Sequence, residues 1–258
     1  VMDTETITSR QNPLAAHIRK LNASRSHRRE REEFVCDGPK LLAEALRWGA
    51  ELTTVVWDMA GPAPDGVPEG VRMVRVPGEL LSALSTTQTP QGVLFLCRTP
   101  RLALPEAMEG RRYLVLDGVQ DPGNVGTVLR TADAFGADGL ILLPGCADPF
   151  APKTVRASMG ACFRLPVWEA DRETLTAALE RAGLPLYAAA LGTDTGDVRQ
   201  VDLRRAAVVI GSEGRGVSPE VLALCGGTLK IPMRARCESL NAAVAAAVVL
   251  WEGWRGEA

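Results

Sequence analysis

The sequence predicts an α/β protein: a parallel sheet with helices on both faces in the C-terminal half, preceded by a smaller α/β domain. Three observations point there. From Tyr113 onward, short aliphatic or β-branched runs ("YLVLDGV", "GLILL", "FRLPVW", "PLYAAAL", "AAVVIG", "LKIPM") alternate with helical segments. Continuous apolar strands of this kind are buried on both faces of a parallel sheet. The N-terminal third carries strands and helices of its own. Between the two, "RTPRLALPEAMEGRR" (Arg98 to Arg112) holds two prolines and no clean periodicity, as a boundary would. The implied division is a domain over 1–98, a linker over 99–112 and a second domain over 113–258.

Along the chain, "NPLAAHIRKLNASRSHRRERE" (Asn12 to Glu32) reads as one helical pattern. Its later part carries Arg19, Lys20, Arg25, Arg28, Arg29 and Arg31, opposed mainly by Glu30, with His27 among them. "EFVCDG" is a short strand, and "PKLLAEALRWGA" a helix closed by Gly49, with Leu41, Leu42, Ala45 and Leu46 at helical spacing. "LTTVVW" and "GVLFLC" complete the predicted strands of this part. In the second half the spacing predicts helices near Val125–Ala134, Pro152–Ala161, Arg172–Ala182 and Ser218–Leu224, with a last one from about Ser239.

Composition narrows the function classes. With 258 residues, 46% hydrophobic and 23% charged, the chain has the make-up of a soluble globular protein. A formal net charge of −2 means that any polyanion must be held by a local basic surface. Six scattered cysteines without a C-x-x-C pair, and only two histidines, argue against a zinc site or a disulfide framework. They favour a reducing compartment. "VMDTETITSR" has no apolar core of a signal peptide, and "LNAAVAAAVVLW" is too short and alanine-rich to span a membrane. The expectation is a cytoplasmic protein with no metal and no membrane partner.

Three glycine-bearing turns carry the chemistry. In "LDGVQDPGNVGTVLRTADAFG" (Leu116 to Gly136) a strand end leads through a polar turn into a helix. Asn124 is placed to cap that helix. Gly126 and Arg130 are four apart and share a face, so Arg130 leans back over Gly126 toward the turn. A helical glycine costs about 1 kcal/mol, which suggests a close approach at that point. A surface pairing of Arg130 with an acid such as Asp133 is the plain alternative. The second turn, "VVIGSEGRGVSPEV", holds Gly211, Glu213, Gly214, Arg215 and Gly216 before a helix begun by Ser218 and Pro219. Its order is not that of the dinucleotide fingerprint, which disfavours an oxidoreductase. The third, "LKIPMRARCESLNAAVAAAVVLWEGW", ends a strand near Pro232 and starts a nearly all-apolar helix around Ser239 and Asn241.

In this order the three stretches resemble the SpoU (TrmH-type) family of RNA 2'-O-ribose methyltransferases, of the SPOUT class. "NVGTVLRTADAFGA" matches the family's first motif, "IGSEGRGV" its second, and "IPM" followed by "ESLNAAVAAA" its third. "ITSRQNPLAAHIRKL", "FVCDGPKLLAEAL" and "TPQGVLFL" resemble the family's N-terminal substrate-binding extension. The resemblance implies a C-terminal SPOUT-type knot, a homodimer whose interface lies near the active sites, and S-adenosylmethionine held by Gly211, Ile231, Leu240, Ala190, Met233 and Glu213. It implies Arg130 as the catalytic arginine, with Asn124, Ser239 and Asn241 positioning it and the ribose. A guanidinium stays protonated, so a phosphate grip and oxyanion stabilisation suit Arg130 better than proton abstraction. The arginine-rich stretch from Arg19 to Arg31 is then expected to contact RNA phosphates, with ribosomal RNA preferred over transfer RNA. A non-catalytic RNA-binding protein that keeps the fold is the competing expectation.

Overall fold

The computed structural model describes residues 4–191, 195–234, 236–237 and 239–255. It divides into two compact units: residues up to 100 together with 150–163, and residues 101–149 together with 164 onward.

In chain order the first unit contains β1 (Thr4–Thr6), α1 (Pro13–Ala23), α2 (Arg25–Arg31), β2 (Glu33–Asp37), α3 (Pro39–Arg47), β3 (Leu52–Asp58), β4 (Arg72–Val76), α4 (Gly78–Leu84) and β5 (Val93–Arg98). The strands form a mixed sheet in the order β1-β4-β3-β5-β2. Leu14, Ile18 and Leu21 of α1 and Leu80, Leu81 and Leu84 of α4 are buried in one cluster with Val35, Val56, Val74, Leu94 and Leu96 of the sheet. Phe34 of β2 and Phe95 of β5 meet Phe163, and Phe34 also packs on Phe150, with ring centroids 4.6–6.4 Å apart.

The predicted single helix over Asn12–Glu32 is broken at Ser24. Ser24 is extended (φ −124°, ψ 117°), closes α1 and accepts the His27 N–H through Oγ at 3.2 Å. A serine hydroxyl that bonds locally to the backbone competes with helix propagation. His17 and His27 lie 3.0 Å apart, nitrogen to nitrogen, and His17 reaches Glu33 at 2.8 Å, joining α1, α2 and β2. Loss of hydration, then the charges of His17 and Arg31, hold the His27 imidazole below its ordinary titration range.

The arginine stretch needs one correction. Arg19, Lys20, Arg25, Arg29 and Arg31 are exposed, but Arg28 is buried and its guanidinium donates to the Leu21 carbonyl at the end of α1. A cation spent on the last carbonyls of a helix fixes that helix end. It is not available to a phosphate.

The second unit contains β6 (Arg112–Asp117), α5 (Pro122–Ala134) and β7 (Gly139–Leu142); α6 (Pro152–Ser158) follows in the chain but belongs to the first unit, against β2. Then come β8 (Val167–Glu169), α7 (Arg172–Ala182), β9 (Leu186–Ala189), β10 (Gly196–Asp197), β11 (Ala206–Gly211), α8 (Pro219–Leu222), β12 (Gly227–Lys230) and α9 (Ala242–Trp254). The sheet order is β10-β12-β9-β11-β6-β7-β8, every neighbouring pair parallel. Tyr113, Val115, Ile141, Ala188 and Val209 pack with Leu175, Ala178 and Leu179 of α7 on one face. The alternate residues Leu114, Leu116, Leu140 and Ile210 are also buried, and α5 and α9 pack on the sheet and on each other. The predicted doubly covered parallel sheet is therefore present.

Because neighbouring strands are parallel, β6, β9, β11 and β12 all deliver their following loops to one edge. One helix start differs from expectation and another follows it. Asp121, not Asn124, caps α5, its Oδ1 accepting the Asn124 N–H at 2.9 Å; Asn124 lies inside the first turn. Asn241 caps α9, with Oδ1 accepting the Ala243 and Val244 N–H groups at 2.9 and 3.3 Å. α9 is not buried all round in the single chain: Val244 and Trp251 remain about half exposed.

Candidate active site

The three motifs meet through side chains. Asn124 from the start of α5 donates its Nδ2 to Glu213 Oε1 at 2.6 Å. Asn241 donates its Nδ2 to the same oxygen at 2.6 Å and to Asn124 Oδ1 at 3.2 Å. The amide orientation of Asn241 is forced. Its oxygen is committed to the first N–H groups of α9, so its NH2 must face Glu213. One carboxylate oxygen thus ties together residues 89 and 28 positions away in the chain.

This geometry predicts the effect of Asn241→Asp. Aspartate caps a helix as well as asparagine does, so α9 should keep its start and the protein its fold. The new carboxylate would face Glu213 where an amide donor stood, and like charges at hydrogen-bonding distance repel. We expect normal far-ultraviolet circular dichroism with loss of most activity, and partial recovery in Glu213→Gln combined with Asn241→Asp. Full activity of the single variant would show that the network has no role in the reaction.

Two clefts flank the loop after β11. The first has a volume of about 410 Å³, within the range of small-molecule sites. All six residues predicted to hold a cofactor line it: Ala190, Gly211, Glu213, Ile231, Met233 and Leu240, with Ser239 beside them. Its walls are mainly aliphatic side chains, Ile210, Val217, Leu222 and Leu229 among them, interrupted by the backbone of the strand-end loops. An apolar cleft with backbone polar groups, one carboxylate (Glu213) and two cations (Arg215 and Lys230) suits a largely apolar ligand that carries charges of both signs. The second cleft, about 600 Å³, lies beyond the ends of β6, β7 and β11 and is lined by Asp117–Asp121, Asn124, Pro144–Gly145, Ser212–Gly216 and Ser218–Glu220. Residues 212, 213, 215 and 216 line both, so a single loop separates them.

That loop is held at its base. Ser212 and Gly216 exchange backbone hydrogen bonds at 3.0 and 2.8 Å, and Gly216 adopts φ +67°, which suits glycine. Asp117 Oδ2 accepts the Ser218 N–H at 2.7 Å. Sequence reasoning missed this last bond and the second cleft, because both depend on placing β11 next to β6, 101 residues apart at the bonded pair.

Arg130 is exposed on α5, and among the described residues no hydrogen bond or ion pair engages it. Asp133, the acid that could have neutralised it, instead pairs with Arg164 at 2.8 Å. Arg130 is not among the residues lining either cleft. Gly126 is buried within the single chain, with Val125, Val128, Leu129 and Ala132. The protein's own atoms therefore cover it, and the clearance for a ligand inferred from its spacing is not what it provides.

The comparisons with known proteins agree with this geometry. A family model described as the SpoU rRNA Methylase family matches residues 111–251, and one described as an MRM3-like substrate binding domain matches residues 12–94. The chain is 32% identical to a 23S rRNA (guanosine(2553)-2'-O)-methyltransferase of Bacillus subtilis, covering 95% of this chain and 97% of that protein. It is 31% identical to a 23S rRNA (uridine(2479)-2'-O)-methyltransferase of Streptomyces viridochromogenes, covering 96% and 91%. The crystal structure of an AdoMet-bound rRNA methyltransferase from Sinorhizobium meliloti superposes with a TM-score of 0.86 at 32% identity, covering 98% of both chains. With over half of its length inside the family model, and its three motifs joined at one sheet edge, the chain belongs to the SpoU rRNA methylase family.

Proposed function

We propose that the protein is an S-adenosylmethionine-dependent methyltransferase that modifies a ribose 2'-hydroxyl in ribosomal RNA. The observation that carries this reading is the first cleft, which gathers every residue the family motifs assign to the cofactor. When bound, S-adenosylmethionine supplies an electrophilic methyl group on a sulfonium. The chain's residues supply alignment. Glu213, held by Asn124 and Asn241, fixes the loop between the two clefts. Ser239, which lines the first cleft, orients the ribose in this reading. Arg130, always cationic, grips a neighbouring phosphate and stabilises the oxyanion as the hydroxyl proton passes to solvent water. Positioning of two reactants supplies a large share of such a rate enhancement.

Arg130 stands outside both clefts of the single chain, which supports the homodimer reading, with the reaction at a shared edge. Val244 and Trp251 are about half exposed on α9, and Trp251 forms an aromatic cluster with Phe135 and Trp254 at centroid distances of 5.6–6.1 Å. An apolar face of this kind is an interface signature. A C-terminal knot belongs to the same reading. So does a cytoplasmic setting: among the described residues no helix is long and apolar enough to cross a membrane. The exposed cations Arg19, Lys20, Arg25, Arg29 and Arg31 of α1 and α2 would add phosphate contacts.

The test uses tritiated S-adenosylmethionine with in vitro transcripts of 23S and 16S rRNA and with bulk transfer RNA. Label is expected in one ribosomal transcript, at a single nucleotide whose 3' linkage becomes resistant to alkali. Label confined to transfer RNA would redirect the substrate. Calorimetry showing no cofactor binding would favour the non-catalytic reading.

A further inference from the structure

The loop between the clefts displays an arginine that the family motifs leave unassigned. Arg215 sits at its free corner, between Gly214 and Gly216. Around it everything is tethered: the Ser212–Gly216 backbone pair, Glu213 through two asparagine amides, and the Ser218 N–H on Asp117. Arg215 itself is exposed, and among the described residues no hydrogen bond or ion pair engages it. It is thus a cation presented on a rigid support without a competing partner, so little ordering entropy is lost when it binds.

Its surroundings say what it is for. Arg215 lines both clefts, and among the described residues it is the sole cation lining the second one, with Asp117, Asp121, Glu213 and Glu220. Asp117, Asp121 and Glu213 are engaged by Ser218, Asn124 and the asparagine pair, but their charges still face any polyanion that enters. An RNA strand brings a phosphate with every nucleotide. It cannot lie in a cleft of carboxylates unless a cation meets it there.

We infer that Arg215 is a positioning residue that takes a phosphate of the acceptor strand in the second cleft and sets the register of the target nucleotide. This inference rests on the reading of the protein as an RNA methyltransferase. The same guanidinium could meet a carboxylate in the first cleft, that of the cofactor's methionyl group. The first cleft has a second cation, Lys230 of β12; among the described residues the second cleft has none besides Arg215.

The experiment compares the full-length protein with Arg215→Ala and Arg215→Lys. Binding of a 23S rRNA transcript is titrated at several salt concentrations without cofactor, and cofactor affinity is measured by calorimetry without RNA. For Arg215→Ala the expected result is about five- to tenfold weaker RNA binding at low salt. The log–log salt slope should be shallower by about one phosphate contact. Cofactor affinity and melting temperature should not change. Arg215→Lys should restore the salt slope, since a lysine still neutralises one phosphate, but leave RNA affinity below that of the wild type, because it cannot make the bidentate contact. Weakened cofactor binding with unchanged RNA binding would move Arg215 to the carboxylate and overturn the inference, as would no change in either. Neither binding readout requires turnover. A wild-type protein that binds both ligands without methylating would count against the proposed function and leave the Arg215 result readable.

Discussion

Arg130→Ala is expected to reduce methyl transfer by about a hundred- to a thousandfold, the loss seen when one oxyanion-stabilising donor is removed from an enzyme. The fold should not notice the change. Arg130 is exposed, Asp133 is already paired with Arg164, and no other described residue bonds to Arg130. Surface substitutions of this kind stay within about 0.5 kcal/mol, and alanine is the better helix former. Cofactor affinity should also hold, because Arg130 lines neither cleft. The signature is therefore a fall in kcat at constant melting temperature and constant cofactor Kd. Arg130→Lys keeps the charge but loses the planar fork, and should recover only a small part of the rate. A variant with unchanged kcat would remove Arg130 from the mechanism. If the reaction needs two protomers, mixing Arg130→Ala with a variant unable to bind cofactor should restore some activity.

The parallel sheet was legible because its strands advertise themselves. Runs such as residues 206–210 and 114–116 are buried on both faces, and that requirement fills every position with an aliphatic residue. β1 was invisible for the opposite reason. Thr-Glu-Thr is wholly exposed and pairs at a sheet edge, so no hydrophobic pattern marks it. The break at Ser24 hid in a continuous helical period, because a single side-chain hydrogen bond outweighed the pattern. α6 read correctly as a helix, but it packs on β2 of the first unit rather than covering the parallel sheet. Periodicity tells which face of a helix is apolar and nothing about which sheet it meets.

The site divides in the same way. Its residues were legible one by one, since a polar or glycine-bearing turn at a strand end has few structural reasons to exist. Their connections were not. Asn124 was read as a helix cap because its local sequence permits that role. The structure gives the cap to Asp121 and leaves the Asn124 amide for Glu213, a partner 89 residues away. Glu213 was expected among the cofactor residues; with two amide donors on one oxygen it also has a clear structural task. Strand order, which places β11 between β6 and β9, is what creates these contacts.

Gly211→Ala should disable the site through its backbone. A methyl group at this position would lie 2.0 Å from the Gly216 carbonyl carbon, 2.2 Å from its oxygen and 2.2 Å from the Val217 nitrogen. All three are main-chain atoms, so no side-chain rotation relieves the clash. Either β11 or the loop must move, and the loop is the weaker element, with two backbone bonds against a strand paired on both sides. Overpacking of this sort costs about 1–3 kcal/mol. For a chain of this size that lowers the melting temperature by about 3–10 °C. The larger effect is functional, because residues 212, 213, 215 and 216 of this loop line both clefts. A wall displaced by about 1 Å can cost a hundredfold in rate, and cofactor affinity should fall with it. Gly214→Ala is the control within the same loop. A methyl group there meets nothing within 4 Å, so its melting temperature and cofactor affinity should match the wild type. If both alanine variants behaved alike, general loop sensitivity would replace the Gly211–Gly216 contact as the explanation. If only Gly211→Ala fails, the close approach of β11 to its own returning loop is what shapes the cofactor cleft.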